Sequence, residues 1–441
     1  MMSTWLAFVL MGVAFVVTTL IYPYVLAFAR RYGIVDNPSA RKLQRVPVPV
    51  MGGTAVFVGF LVTVIVGLLF VPNVRVIRLT ILLFVMYAVG VWDDIKDVSD
   101  SVRFLVELVV FWLMILLLDV EINDFHGFLG IDDVPDAISV PLSLIAGVGV
   151  MNAINLIDGV DGYCSTYGMM ACAIFAAVFY LSGAMAMFAV ALICIGALLP
   201  FFFHNVFGKT SKMFLGDGGS LMLGTMLAFF AFNTLTANSL CDIAYRDSGL
   251  SLVALCLAVL AVPVFDTIKV MVFRIIKGQS PFHPDKTHLH HLFIEMNFSH
   301  LITSAIIVLG NIGIVGVLML SWILGANATV QVIVVVLAAL AFTWGFYFFM
   351  EDQRRKNDGD GTALWKRWCR HGGATKITTT PFWLFIRKVV DSRILGYGFL
   401  QKLEDTATSP MAGRPRIDPR VGTAPPVVGS ADSISSVRKE K

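Results

Sequence analysis

The chain has 441 residues, of which 57% are hydrophobic and only 14% are charged, and its formal net charge at pH 7 is +3. Soluble globular chains are roughly 45–50% apolar and about 25% charged, so this composition excludes an ordinary soluble domain. Uncharged runs of about 18 residues or more recur along the chain, and they lack the polar face that soluble helices keep. We therefore expect the lipid bilayer, and no nucleic acid, as a partner.

The apolar runs predict an all-α polytopic membrane protein with about eleven transmembrane helices. In chain order they cover residues 5–29, 51–71, 76–92, 104–120, 138–151, 168–183, 185–203, 218–237, 249–273, 301–323 and 328–350. The first run leads into Arg30 and Arg31 without a small-residue cleavage site, so we interpret it as a retained helix and not a signal peptide.

The basic residues of the connecting loops predict the orientation of the chain. The loops after the odd-numbered helices hold most of them: Arg30, Arg31, Arg41, Lys42, Arg45, Lys96, Arg103, Lys209, Lys212, Lys277 and Lys286. The loops on the other side hold Arg75, Arg78 and Arg246, and the loop after helix 4 is acidic. By the positive-inside rule, the odd-numbered loops and the C-terminus are cytoplasmic and the N-terminus is periplasmic.

The composition changes after residue 350. Residues 351–403 are basic with interspersed aromatics, which is typical of an amphipathic segment on a membrane surface. From about residue 405 the chain is rich in Pro, Ser, Thr and Gly, which predicts disorder. We divide the chain into a transmembrane domain, 1–350, and a cytoplasmic tail, 351–441.

Every cluster of reactive polar residues lies in an odd-numbered loop. The clusters are DNPSARKLQRVPVPVMGG (36–53), WDDIKD (92–97), NAINLIDGVDG (152–162), HNVFGKTSKMFLGDGGS (204–220) and SPFHPDKTHLHH (280–291). The even-numbered loops hold nothing comparable. The pattern predicts one cytoplasmic site assembled at helix ends.

The acidic residues of these loops favour a magnesium site. Asp93 and Asp94 follow an apolar helix, Asp158 and Asp161 lie in a glycine-punctuated turn, and Asp217 precedes another apolar helix. Magnesium is usually held by one or two carboxylates and by substrate phosphates. The alternative is that each Asp caps a helix or interacts with its dipole, and for Asp217 alone that alternative is equally good.

The basic and histidine residues favour a phosphate-rich ligand. Lys42 and Lys212 lie near glycines that let a phosphate approach the backbone, although the ordinary excess of cytoplasmic lysine is an alternative. His288, His290 and His291 cannot share one helical face and have no HExxH spacing. We interpret them as an irregular loop of donors, while a zinc site and a solvated loop without function remain alternatives.

Asp266 lies within the ninth apolar run. A carboxylate inside a membrane segment indicates a functional site by default. Its position near the cytoplasmic end makes structural pairing with Lys269 or Arg274 an equal alternative.

In this order the clusters resemble those of the polyprenyl-phosphate N-acetylhexosamine-1-phosphate transferases (glycosyltransferase family 4), and the WecA-type branch more than the muramoyl-pentapeptide branch. The matching stretches are DNPSARK…PVPVMGG, VWDDIKD, NAINLIDGVDG, SKMFLGDGGS and HPDKTHLHH, within residues 1–350. Departures occur at Gln44, at Lys286-Thr287 and at Thr210-Ser211, where the family often has other residues. They leave the exact sugar open.

The resemblance implies a Mg²⁺-dependent enzyme of the bacterial inner membrane, in which Mn²⁺ is a candidate substitute. Such enzymes transfer an N-acetylhexosamine 1-phosphate, here most simply that of N-acetylglucosamine, from its UDP-sugar to undecaprenyl phosphate. UMP is released, and the polyprenyl-diphosphate sugar starts a cell-envelope polysaccharide such as O-antigen lipopolysaccharide.

The resemblance also implies roles for single residues. Asn155 and Asp217 match the Mg²⁺ ligands, and Asp158 matches a catalytic position close to the metal. Asp93 and Asp94 match an acidic pair that positions or deprotonates the lipid phosphate, with roles that the sequence does not separate. The remaining matches are to substrate-binding positions: Lys42, Asn205, Lys212, His288, His290 and His291.

Three alternatives remain. One is the same chemistry on the muramoyl-pentapeptide nucleotide of peptidoglycan synthesis. Another is a lipid-linked sugar transporter, which would place ionisable residues near the bilayer midplane on broken helices. The third is an inactive scaffold for envelope assembly. The sequence sets neither the sugar epimer nor the oligomeric state, for which a homodimer is an open alternative.

Overall fold

The structure, a computed structural model, describes residues 2–36, 47–96, 98–280, 287–296, 298–359 and 380–392. Lys42 and the segment after residue 405 lie outside the described residues, so their predictions stay predictions. The domain boundary at residue 350 also stays a prediction.

The described residues are mainly helical. The helices are α1 Thr4–Tyr32, α2 Gly52–Phe70, α3 Val74–Lys96, α4 Asp100–Leu118, α5 Asp136–Leu156, α6 Tyr163–Leu181, α7 Met185–Phe207, α8 Gly216–Leu235, α9 Leu240–Tyr245, α10 Leu252–Val259, α11 Ala261–Ile276, α12 Leu289–Glu295, α13 His300–Ile323, α14 Ala328–Leu340, α15 Phe346–Gly359 and α16 Pro381–Val390. A π-helical turn, Ala341–Gly345, joins α14 to α15. The described residues also form two antiparallel pairs of short strands, β1 Val35–Asp36 with β2 Val48–Pro49 and β3 Asp124–Phe128 with β4 Ile131–Asp133.

Ten helices among the described residues are long and apolar enough to cross a membrane, and the bent pair α10–α11 would be an eleventh span. The prediction of a polytopic helical membrane protein is confirmed. The sidedness of the loops and of the N-terminus stays a prediction. The strand pair β3–β4 was not predicted, and it lies in the acidic loop between α4 and α5.

The ninth apolar run is not the continuous helix that the sequence predicted, because it bends by 71° between α10 and α11. Pro263 lies four residues after Val259, and a proline ring cannot coexist with a helical hydrogen bond to that carbonyl. The Tyr167 hydroxyl donates to the freed Val259 carbonyl at 2.6 Å. The Asn311 amide also donates to it and accepts the Val262 N–H at 3.0 Å. Buried side chains thus satisfy the broken backbone inside the membrane.

Helix α8 occupies the centre of the bundle, and its membrane-spanning window is wholly buried. Its start lies against α2 at a backbone contact that requires glycine. A Cβ on Gly53 would come within 2.3 Å of the Gly219 nitrogen. The N–H groups of Gly52 and Gly53 donate to the carbonyls of Phe214 and Leu215 at 2.8 and 2.7 Å. The start of α8 is therefore held firmly against α2.

Helix α16 lies against the end of α7. Trp383 is buried, and its ring centroid lies 4.6 Å from that of Phe207. Asp391 then accepts the N–H groups of Lys209 and Ser211 at 3.0 Å each and the Ser211 hydroxyl at 2.8 Å. Part of the predicted amphipathic tail thus braces the α7–α8 loop.

Candidate active site

The site forms where the ends of α3 and α5 meet the start of α8. The Asn155 amide, near the end of α5, donates to Asp217 Oδ1 at 2.8 Å and to the Ser220 hydroxyl at 2.9 Å. Arg103 of α4 lies with Nη1 3.7 Å from Asp217 Oδ2. Asp217 keeps 35% of its side chain exposed, so its carboxylate is open to a ligand.

Asp94 fastens the first turn of α8. Its Oδ1 accepts the Asp217 N–H at 3.0 Å, and its Oδ2 accepts the Gly218 N–H at 3.2 Å. The residue before α8, Leu215, supplies no side-chain cap, so the first N–H groups of the helix would otherwise lack acceptors. Gly216 has φ +76°, a left-handed conformation that favours glycine. Asp94 therefore sets the position of the Asp217 backbone.

Asp93 instead belongs to a network with α4. Its Oδ2 lies 2.9 Å from Arg103 Nη1, and its Oδ1 accepts the Val98 N–H at 2.8 Å. Arg103 Nε lies 3.3 Å from Glu107 Oε1, and the Asn152 amide donates to Glu107 Oε2 at 2.8 Å. The structure thus distinguishes two carboxylates that the sequence could not separate.

Sequence reasoning missed Arg103, Glu107 and Asn152 as site residues. A signal was present, because Arg103 and Glu107 lie four residues apart in a helix that is apolar after Glu107. Ionisable side chains at that spacing share one face, and inside a membrane segment they indicate function.

Asp158 lies in the turn after α5, beside these carboxylates. Burial, and then the negative charges of Asp217 and Asp94, raise the pKa of the Asp158 carboxyl well above its usual range. This accumulation of carboxyl groups around one guanidinium group, that of Arg103, favours a bound cation.

The donors of the site fit Mg²⁺ better than a metal that needs many protein ligands. Within the described part of the chain, no three carboxylate, His or Cys ligand atoms converge here to within 4.8 Å of one another. Magnesium is usually held by one or two carboxylates, with water and substrate phosphates completing the shell. Asp217 and the neighbouring Asn155 amide match that pattern.

Lys212 and Asn205 lie in the adjoining α7–α8 region. Lys212 Nζ lies 2.5 Å from Asp161 Oδ2, and His300 Nδ1 lies 2.9 Å from the same oxygen. Burial raises the pKa of Asp161, but His300 and Lys212 outweigh it, and the net pKa is lowered. The buried Asn205 amide accepts the Gly162 N–H at 2.6 Å and donates to the Met213 carbonyl at 2.8 Å. Asn205 therefore joins two loops of the site.

The histidine motif, which consists of His288, His290 and His291, begins beside Asp266. His288 Nδ1 lies 2.8 Å from Asp266 Oδ2, and Lys269 Nζ lies 2.6 Å from Oδ1. The Leu289 N–H at the start of α12 also donates to Asp266, at 3.1 Å. Of the two alternatives for Asp266, the structure therefore places it in a structural pair with Lys269 that also anchors the motif.

His290 lies next to the turn that contains Asp158. A Cβ on Gly159 would lie 3.2 Å from His290 Nε2, and this buried nitrogen has no hydrogen-bond partner among the described residues. The His290 and His291 ring centroids lie 4.3 Å apart. Burial, and then the neighbouring His291 and His288, lower the pKa of His290. A ligand that reached Nε2 would supply its missing hydrogen bond.

A cavity of about 450 Å³ opens between α4, α5 and α11. Its polar lining includes Arg103, Asn155 and His288, which join the acidic cluster to the histidine motif. Its apolar lining includes Phe104, Val148, Val270 and Met271. The cavity suits a ligand with a charged head and an apolar chain.

These features define a polytopic membrane protein with an acidic, phosphate-suited site at its helix ends. Residues 76–234 match the family profile of glycosyl transferase family 4. The probable undecaprenyl-phosphate N-acetylglucosaminyl 1-phosphate transferase of Bacillus subtilis is 31% identical over 302 residues, which cover 67% of this chain and 81% of the relative.

Two undecaprenyl-phosphate alpha-N-acetylglucosaminyl 1-phosphate transferases are also similar. That of Yersinia pestis is 29% identical, over 65% of this chain and 78% of the relative. That of Escherichia coli K12 is 28% identical, over 68% and 81%. The chain therefore belongs to glycosyl transferase family 4, and the resemblance deduced from its motifs is confirmed.

Proposed function

We propose that the protein transfers N-acetylglucosamine 1-phosphate from UDP-N-acetylglucosamine to undecaprenyl phosphate and releases UMP. The observation that carries this proposal is a cavity lined by Arg103 and by Asn155, the residue whose amide holds the Asp217 carboxylate at 2.8 Å. The activities for which the similar proteins are named agree with it. The product would start cell-envelope polysaccharide synthesis at the bacterial inner membrane, with the site facing the cytoplasm.

The reaction exchanges one phosphoanhydride for another. A phosphate oxygen of the lipid attacks the sugar-linked phosphorus of the nucleotide, a new P–O bond forms, and the bond to the oxygen of UMP breaks. The reacting groups are all anionic, so the site must hold them together against their repulsion.

Arg103 binds the lipid phosphate in this proposal, and Asp93 helps to orient its guanidinium group. The Arg103 guanidinium lines the cavity and can form paired hydrogen bonds with a phosphate. Asp93, at 2.9 Å, and Glu107, at 3.3 Å, fix its orientation. The apolar lining accommodates the first isoprene units of the acceptor.

Asp217 and Asn155 would hold Mg²⁺. When bound, the ion neutralises phosphate charge and favours departure of UMP. Asp94 keeps the Asp217 backbone in place, while Asp158 adds a carboxyl at the edge of the cluster. The imidazole of His290 offers a hydrogen bond to the diphosphate of the donor.

The test is a turnover assay on the full chain, purified in detergent. Labelled UDP-N-acetylglucosamine and undecaprenyl phosphate are supplied with and without Mg²⁺, and UMP and labelled lipid are both measured. We expect equal amounts of the two products, only when the metal is present. UMP without labelled lipid would indicate hydrolysis and contradict the proposal.

Donor specificity is tested in the same assay. UDP-N-acetylgalactosamine and the muramoyl-pentapeptide nucleotide replace the first donor, one at a time. For site variants measured in this assay, Asp119→Asn is the matched control. This exposed residue ends α4 in a left-handed conformation that Asn also tolerates. Turnover of the muramoyl-pentapeptide nucleotide alone would identify the other branch of the family.

A further inference from the structure

A second polar cluster lies at the opposite helix ends, away from the candidate active site. Asp124 and His126 belong to β3, between α4 and the start of α5, and Asp242 belongs to α9, just after α8. Helix α8 has 20 residues, with Asp217 at its start. At 1.5 Å per residue such a helix is about 30 Å long. The cluster is therefore independent of the proposed transferase chemistry.

The distances in the cluster suit ligands of one ion. His126 Nδ1 lies 3.6 Å from Asp124 Oδ1 and 3.5 Å from Asp242 Oδ1. Ordinary hydrogen bonds are about 2.7–3.2 Å long, so neither contact is a good one. Two ligands bound tetrahedrally at about 2.0–2.2 Å lie roughly 3.3–3.6 Å apart. In the described part of the chain this is the one group of three metal-ligating side chains that converges within 4.8 Å.

The charges in the cluster do not balance. The side chains of Asp124 and Asp242 are 8% and 1% exposed. Arg246 Nη2 lies 2.5 Å from Asp242 Oδ2 and compensates one of the two carboxylates. Asp124 Oδ1 accepts the His126 backbone N–H at 2.6 Å, but no Lys or Arg among the described residues forms a salt bridge with it. A buried charge without a cationic partner is costly, so this carboxylate favours a further cation.

His126 offers a buried imidazole to a metal ion. Its side chain is 8% exposed, and its Nε2 has no hydrogen-bond partner among the described residues. The ring can coordinate a metal ion through Nδ1, which lies 3.6 Å from Asp124 Oδ1 and 3.5 Å from Asp242 Oδ1.

We propose that Asp124, His126 and Asp242 bind a divalent transition-metal ion of the Zn²⁺ type. An imidazole with two carboxylates suits zinc better than magnesium or calcium, which prefer oxygen ligands throughout. The ion ties the strand pair β3–β4 to α9 and leaves a fourth position for water. Its role is to hold two loops together at the end of the bundle opposite Asp217.

The test counts zinc on the full chain purified in detergent. Protein is equilibrated with ZnCl₂, freed of excess metal by gel filtration and analysed by mass spectrometry for zinc per chain. We expect His126→Gln and Asp242→Asn each to hold one equivalent less than the wild type. Asp133→Asn, an exposed carboxylate on the same hairpin, should keep the wild-type count. A difference between variants separates this site from any zinc bound near Asp217.

A second measurement guards against misfolded variants. Zn²⁺ should raise the thermal unfolding midpoint of the wild type and of Asp133→Asn, and EDTA should reverse the rise, but His126→Gln should not respond. Visible absorption of tetrahedral Co²⁺ in the wild type would support the proposed ligand geometry. Equal zinc counts in the wild type and His126→Gln would overturn the proposal. The proposal would also be overturned if the wild-type midpoint did not change with Zn²⁺ and depended only on pH. A protonated His126 would then bridge the two carboxylates.

Discussion

Replacing Asp94 by Asn tests whether this carboxylate acts by holding α8. The substitution keeps the size of the side chain but replaces one acceptor oxygen with an NH₂ group. That group would face either the Asp217 N–H or the Gly218 N–H, now accepted at 3.0 and 3.2 Å. One charge-assisted hydrogen bond is lost, and two donors, the new NH₂ group and a backbone N–H, then point at each other.

The expected magnitude follows from these contacts. Hydrogen bonds to charged groups contribute about 1.5–3 kcal/mol, and a negative charge at a helix start contributes about 0.3–1 kcal/mol. Removing the Asp94 charge also relieves repulsion from Asp217 and Asp93, which offsets part of the loss. We expect the free energy of unfolding to fall by about 2 kcal/mol. A misplacement of about 1 Å at Asp217 would lower turnover roughly 100-fold.

The assay pairs thermal unfolding in detergent with transferase turnover, and Asp119→Asn is the control. Asp94→Asn should lower both the unfolding midpoint and kcat, whereas the control should lower neither. A variant that loses turnover but keeps the wild-type midpoint would refute the reasoning. Asp94 would then act on substrate directly and not through α8.

Three further changes probe other parts of the site. Asp217→Asn should abolish Mg²⁺-dependent turnover while the protein stays folded, and near-normal turnover would remove Asp217 from the metal site. Gly53→Ala should lower the unfolding midpoint sharply, because its Cβ would lie 2.3 Å from the Gly219 nitrogen; an unchanged midpoint would contradict the close contact. Asp391→Ala removes the acceptor of the Lys209 and Ser211 N–H groups. It should raise KM for the nucleotide sugar about fivefold, equivalent to ~1 kcal/mol, and kinetics identical to the wild type would exclude α16 from a role in positioning the loop.

Much of the fold could be predicted from the sequence because membrane insertion depends on local composition. A span needs about 20 consecutive apolar residues, and that property is visible without knowledge of the partners. The clustering of carboxylates at helix ends was visible for the same reason, since Asp93, Asp94 and Asp217 lie directly beside apolar runs.

The roles of individual carboxylates could not be predicted, because they depend on residues far apart in the chain. Asp94 meets α8 across 123 positions, and Asn155 meets Asp217 across 62. Only packing brings these groups together, so two adjacent aspartates with the same local sequence acquire different partners. Asp93 turns to Arg103 and Asp94 to the backbone of α8.

By itself, then, the sequence determined a polytopic membrane protein and the loops that supply its polar residues. The tertiary structure alone decided the break between α10 and α11, the docking of α16 and the convergence of Asp124, His126 and Asp242. Hydropathy is summed along the chain, whereas hydrogen-bond satisfaction and charge compensation are settled between helices. A single apolar run contains no information about which distant side chain will meet its ends.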